Sequence, residues 1–339
     1  MRFHLEVLVR RGEIIESRHR VQCAVTDARG RLEAATQTPE ASTTFRSAAK
    51  PFQLLPLVER GHALARGYTD EQLAVMTASH SGSRYHLGLV RGILDGLGLG
   101  IEHLACGYHH PADPESLADV WAYPQRRSGL YNNCSGKHAG MLALALAEGW
   151  PTEGYEKLEH PLQQLMRITV AECCGVTPES MSVGIDGCGV SVFALPLAAM
   201  AQGYACLAQA TERGGTEPRA QAMQRIGRAM AAYPIAVEGL ESFSTALMRA
   251  TKGRLLAKGG AEGLQLVGST DRSLGLALKC EDGAMRAVAP ATLAVLEMLG
   301  VLRDDEKALL AAHRLPVVTN AAGLEVGMLE AELRVGAHA

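Results

Sequence analysis

Apolar and polar residues alternate from the start of the chain. In FHLEVLV, residues 3–9, every second position is apolar, the period of a strand with one buried face. The runs at 13–17, 20–27 and 31–36 extend the pattern, with RRG and DARG as turns and VQCAV followed by DARGRL as a hairpin. From Pro51 to Gly61 the period changes, and Phe52, Leu54, Leu55 and Val58 fall at helical spacing. Helices are also expected at 70–78, 84–96 and 115–123, and most clearly at 136–148 and 160–174. SVGID, 182–186, reads as a short β run ending in the turn DGCG, with helices returning at 192–211, 216–232 and 240–251. The tail changes again: RLLAK, LQLVGS, LGLALKC and AMRAVA are strand-like, separated by Gly and Asp turns, ahead of a helix at 290–302. The sum is a sheet built from both ends of the chain with a mostly helical body between them. No linker separates independent domains, so 339 residues read as one catalytic domain. Its sheet part covers about 1–46 and 180–339, and its helical region about 47–179.

Composition narrows the class. The formal net charge is −3 with both signs interspersed, and no basic stripe or arginine-rich run points to nucleic acid. The longest apolar runs, such as GMLALALAEGW, are too short to span a bilayer. MRFHLEVLVRRGEIIE alternates like a strand and lacks the layout of a signal peptide. The eight cysteines show no small-domain spacing and two are adjacent, Cys173 and Cys174, which fits reduced thiols in a cytoplasmic protein. Frequent glycine and scarce aromatics suit tight turns and an aliphatic core.

Candidate chemistry gathers in four stretches. In FRSAAKPFQ, Ser47 and Lys50 lie one helical turn apart, with Pro51 directly behind. Proline is tolerated in a first turn, so the helix is expected to begin near Ser47, at the positive end of its dipole. Ser-x-x-Lys alone arises easily by chance. TASHSGS adds hydroxyls at alternate positions, Ser79 among them, and RLLAKGGAEG sets Lys258 before Gly259 and Gly260, where bare backbone can approach a ligand. The set matches the order of the Ser-x-x-Lys, Ser-Asp-Asn and Lys-Thr-Gly pattern of β-lactamases and penicillin-binding proteins. A serine hydroxyl needs a base, and a lysine serves only when burial or a second cation lowers its pKa. The last stretch joins YNNCSGKHAGM to GIDGCGVSVFALPL. Cys134, Lys137 and His138 lie one turn apart and Cys188 sits in a glycine-bracketed turn. Two cysteines with a histidine or a lysine can hold a metal, and spacing favours His138. Two unrelated buried thiols would read the same way. Asp186 suits a substrate ammonium group or an ordinary turn.

With these segments in view, the chain resembles the asparaginases of the Rhizobium etli type, the asparaginase II family. The resemblance runs from about residue 5 to 335 through FRSAAKPFQ, TASHSG, NNCSGKHAGML, GIDGCGVSVFALPL and TKGRLLAKGGAEG. It implies an α/β (α+β) fold similar to serine β-lactamases and glutaminases, an antiparallel sheet from both chain ends packed with a helical region. It also implies two Ser–Lys tandems, Ser47 with Lys50 and Ser79 with Lys258. A zinc held by Cys134, Lys137 and Cys188 follows from it, with His138 a neighbour rather than a ligand. The remaining implications are a homodimer and action on L-asparagine. Tyr233, where the family often has His, and Gly239-Leu240, where it often has Gly-Arg, depart from the pattern.

The expected reaction is hydrolysis of the asparagine side-chain amide. Ser47 attacks with Lys50 as base, while Ser79 and Lys258 relay protons. Asp186 receives the α-ammonium group, Arg46 makes a polar contact, and zinc places the substrate rather than activating water. A serine glutaminase, a penicillin-recognising peptidase and a non-catalytic metal or amino-acid binder are the alternatives.

Overall fold

The structure, a computed structural model, describes residues 1–336. Its backbone pairing begins at the chain ends. Phe3–Arg11 pairs antiparallel with Ile14–Asp27 on one side and with Glu325–Val335 on the other. The sheet runs in the order Val317–Thr319, Glu325–Val335, Phe3–Arg11, Ile14–Asp27, Leu274–Cys280, Leu264–Ser269, Leu255–Gly260, with Leu32–Ala35 added beside Ile14–Asp27. Alternation explains the first strand: Phe3, Leu5, Val7 and Val9 are buried while His4 and Glu6 are partly exposed.

One long strand, Ile14–Asp27, stands where two short ones were expected. Nothing between Ser17 and Arg20 breaks the chain: Arg18 and Arg20 are exposed, His19 is buried between them, and Arg18 bonds Glu6 on the neighbouring strand at 2.9 Å. AMRAVA is not a strand. Met285–Ala287 forms a 3-10 turn that runs into the helix Val288–Met298, whose Pro290 lies in the first turn where no backbone donor is needed. The helix expected over 192–211 begins later. Ser191–Pro196 is a strand paired antiparallel with Ser182–Ile185, and Leu197–Arg213 is the helix. Its β-branched and aromatic residues favour the strand, and Pro196 ends it.

Contacts divide the chain into two units. The first comprises Met1–Ala48, Leu195–Gln209 and the described residues from Ala246 onward, and it holds the large sheet. The second comprises Ala49–Ala194 and Ala210–Thr245 and is mainly helical. At its centre lies Ser135–Ala147, buried continuously from Ser135 to Ala145. A methyl on Gly136 would overlap the carbonyl oxygen of Val75 in Asp70–Met76, so these two helices touch backbone to backbone. No helix among the described residues is long and apolar enough to cross a membrane.

Candidate active site

In the second unit, Lys50 opens the helix Lys50–Glu59 and is 1% exposed. Pro51 falls within the first turn, so the missing N–H costs no helical bond. The α-helix does not begin at Ser47. Arg46–Ala49 is a 3-10 turn with Arg46 at φ +45°, and Ser47 lies inside it. Lys50 Nζ donates to the carbonyl of Ala78 and contacts Ser79 Oγ at 2.9 Å. The Ser79 loop is fixed from both sides: Ser79 N–H donates to Val237 O at 2.9 Å and His80 N–H to Asn133 O at 3.1 Å.

The thiol stretches meet in the same unit. Cys134 caps the start of Ser135–Ala147, Lys137 follows within the first turn, and Cys188 sits in a turn closed by Gly189 N–H donating to Asp186 O at 2.9 Å. Lys137 Nζ donates to Cys188 Sγ at 2.9 Å, and the free thiols of Cys134 and Cys188 are near enough to shift each other's pKa through a hydrogen bond. The Cys188 bond holds the Cys134 thiol well below its usual range, against burial and with help from the Lys50 and Lys137 charges; Lys50 also hydrogen bonds Cys134. Cys188 is pushed up, first by that same bond and then by burial. Burial disfavours the Lys137 ammonium, yet the charges of Cys134 and Cys188 outweigh it and raise its pKa. Ser79, Lys50, Cys134, Cys188 and Lys137 therefore form one connected polar line, with Asp186 Oδ2 3.9 Å from Cys188 Sγ.

His138 stands apart from that line. Ala105 N–H donates to the Tyr155 hydroxyl at 3.0 Å, and that hydroxyl shares a hydrogen bond of 2.6 Å with His138 Nδ1. Its Nε2 is buried without a partner among the described residues, and burial keeps the ring neutral.

The remaining expected residues belong to the first unit. Lys258 is fully buried in Leu255–Gly260, opposite Leu266, and its Nζ donates to Gly259 O at 3.2 Å. A Cβ on Gly260 would sit 3.4 Å from Arg46 Cβ, so the glycine end of this strand abuts the turn that carries Ser47. Tyr204 OH donates to Ala48 O at 2.8 Å and secures that turn, with the Phe45 ring 6.5 Å away.

Residues 7–331 match the family model of L-asparaginase II. The chain belongs to the L-asparaginase II family. No curated protein matches it by sequence. Among solved structures, Mglu in its native form in 4.3 M NaCl is 16% identical, over 84% of this chain and 62% of that one, with a TM-score of 0.37. The Bacillus subtilis glutaminase YbgJ, in covalent complex with 5-oxo-L-norleucine, is 13% identical over 81% of this chain and 88% of its own, TM-score 0.35. A β-lactamase from Mycobacterium bovis is 14% identical over 87% and 95%, TM-score 0.33.

All the motif segments of this L-asparaginase II chain lie inside the matched range. Within the second unit, folding brings together Lys50 and Ser79, and Cys134, Lys137, Cys188 and Asp186. Sequence reasoning missed His80, Tyr155, Tyr204 and Val237. Val237 acts through its carbonyl, for which no side-chain signal exists. His80 and Tyr155 are isolated polar residues whose partners are remote in sequence.

Proposed function

We propose that the chain hydrolyses the side-chain amide of L-asparagine to L-aspartate and ammonia through a serine acyl-enzyme. The observation that carries this reading is a buried amine, Lys50 Nζ, 2.9 Å from the Ser79 hydroxyl in a chain of the L-asparaginase II family. A hydroxyl becomes a nucleophile or a proton carrier when a base lies within hydrogen-bond reach. Lys50 meets that condition toward Ser79. As neutral amine it accepts the proton, and Ser79 passes protons to and from the reacting group. Ser47 supplies the nucleophile and Lys258 supports the proton path; the ground for both is the resemblance of their segments. Backbone N–H groups, that of Ser47 among them, stabilise the oxyanion. Asp186 receives the α-ammonium group, Arg46 makes a polar contact, and Gly259 lets the substrate approach the strand.

Zinc fits the donors Cys134, Lys137 and Cys188. Two sulfurs and a nitrogen meet in one buried place, and Cys134 is already biased toward thiolate. His138 fits less well, since its Nδ1 is engaged by the Tyr155 hydroxyl rather than by the thiols. Lys137 would ligate only as neutral amine, so binding releases its proton. When bound, zinc supplies a fixed positive charge that orients Asp186 and the substrate. We further read the protein as cytoplasmic, from its cysteine usage, and as a homodimer, from the resemblance.

The test is ammonia release from L-asparagine, L-glutamine and β-aspartyl dipeptides, with asparagine expected first. Faster glutamine turnover would make the chain a glutaminase, and binding without ammonia would make it a binding module. A diazo-ketone analogue of asparagine should label Ser47. Label on Ser79 would exchange the roles of the two serines, and full activity in Ser47→Ala and Lys50→Met would sink the acyl-enzyme.

A further inference from the structure

His80 follows Ser79 and is buried, and its ring bonds Gly82 and Ser135. Its protonation can be read from its partners. Gly82 N–H donates to Nδ1 at 3.1 Å, so Nδ1 is an acceptor and the ring proton is on Nε2. Nε2–H then donates to Ser135 Oγ at 2.8 Å, and the Ser135 hydroxyl donates onward to Leu130 O at 3.0 Å. Every bond in this relay has a single direction. Ser135 is fully buried and opens the helix that carries Lys137, directly after Cys134. The ring also stacks on His86, with centroids 5.1 Å apart. The loop of Ser79 is thereby tied by one side chain to the start of the central helix.

We propose that His80 is a positioning residue that, through Ser135, holds the Ser79 hydroxyl on Lys50. The inference rests on the reading that Ser79 carries protons in the reaction. Proton transfer needs the hydroxyl at hydrogen-bond distance, and an error of about 1 Å in such a position can cost roughly a hundredfold in rate. The backbone bonds at Ser79 and His80 fix the height of the loop. His80 adds a third fixed point, at the start of Ser135–Ala147, and three points restrain rotation of the loop more than two.

Two substitutions separate the two halves of the imidazole. His80→Asn keeps an acceptor for the N–H two residues on, as in an Asx-turn, but is too short for Ser135. His80→Gln reaches toward Ser135 with an amide donor. For ammonia release from L-asparagine, His80→Asn should lower kcat about tenfold or more with KM little changed, and His80→Gln should recover most of the loss. Ser135→Ala, which removes one hydroxyl and leaves the helix intact, should reproduce the His80→Asn defect. The double variant should lose no more than either single one. Ser79→Ala is the reference. If it keeps full kcat, the reading of Ser79 fails and takes this inference with it. If it abolishes turnover while His80→Asn and Ser135→Ala keep wild-type kcat, the inference fails and the reading of Ser79 stands. Additive losses in the double variant would also overturn it.

Discussion

Lys50 is buried with a carbonyl, a hydroxyl and a thiol around its amine, and each of these partners lies far along the chain. The residue types were legible because hydroxyl, amine and thiol recur in short motifs. Their partnerships were not, since Lys50 meets Ser79 across 29 positions and Lys137 meets Cys188 across 51. The ligand set can be tested at this scale. Cys134→Ser and Cys188→Ser should each remove zinc from the purified protein by elemental analysis, Lys137→Met should lower its affinity, and His138→Gln should keep it. Zinc retained in both cysteine variants, or lost in His138→Gln while Lys137→Met keeps it, would place the donors elsewhere.

Glycine decides much at the scale of elements. Gly136 lets Ser135–Ala147 lie against Asp70–Met76, because any side chain there would meet the Val75 carbonyl. Backbone cannot give way as a flexible side chain can, so Gly136→Ala should destabilise the protein by about 2–3 kcal/mol in urea unfolding. Gly92 is the contrast: it is exposed within Arg84–Leu97, and a Cβ there meets nothing. Gly92→Ala should stabilise by roughly 0.5–1 kcal/mol through helix propensity. Gly136→Ala as benign as Gly92→Ala would show that the helices can separate at little cost. Most elements were legible for the same local reasons. Asp70–Met76, for example, is announced by Thr69 and Gln72, which close a capping box. The misreadings fall where local pattern is ambiguous. Ser191–Pro196 is apolar at both periods, and only its pairing with Ser182–Ile185 settles it as strand.

Across the whole molecule, a sheet from both chain ends could be read from the alternation at 3–9 and the strand runs after Arg254. The closing strands Val317–Thr319 and Glu325–Val335 carried no signal as clear, since Glu325–Val335 is half exposed along its length. Stability as a function of pH is a property of this scale. Burial holds His80 and His86 below the ordinary histidine value; the charges of His86, Lys50 and His109 add to it for His80, while the Ile235 carbonyl and Asp113 oppose it for His86. Both are neutral in the folded chain, whereas the unfolded chain protonates them near pH 6.5. Below that pH the unfolded state binds more protons, so stability falls as pH falls. Asp282, held low first by the His19 hydrogen bond, acts only below its ordinary value of 3.8, outside this window. Unfolding free energy by urea should therefore drop between pH 6.5 and 5, where His138 and His313, also lowered by burial, act with these two rings, each histidine contributing a slope of up to about 1.4 kcal/mol per pH unit. His86→Gln should flatten that slope by about one proton, even if it lowers stability at pH 7.5. A slope as steep in His86→Gln would mean that His86 is protonated in the fold, and a wild-type curve level down to pH 5 would mean that His80 is as well, so that the direction assigned to its relay would be wrong.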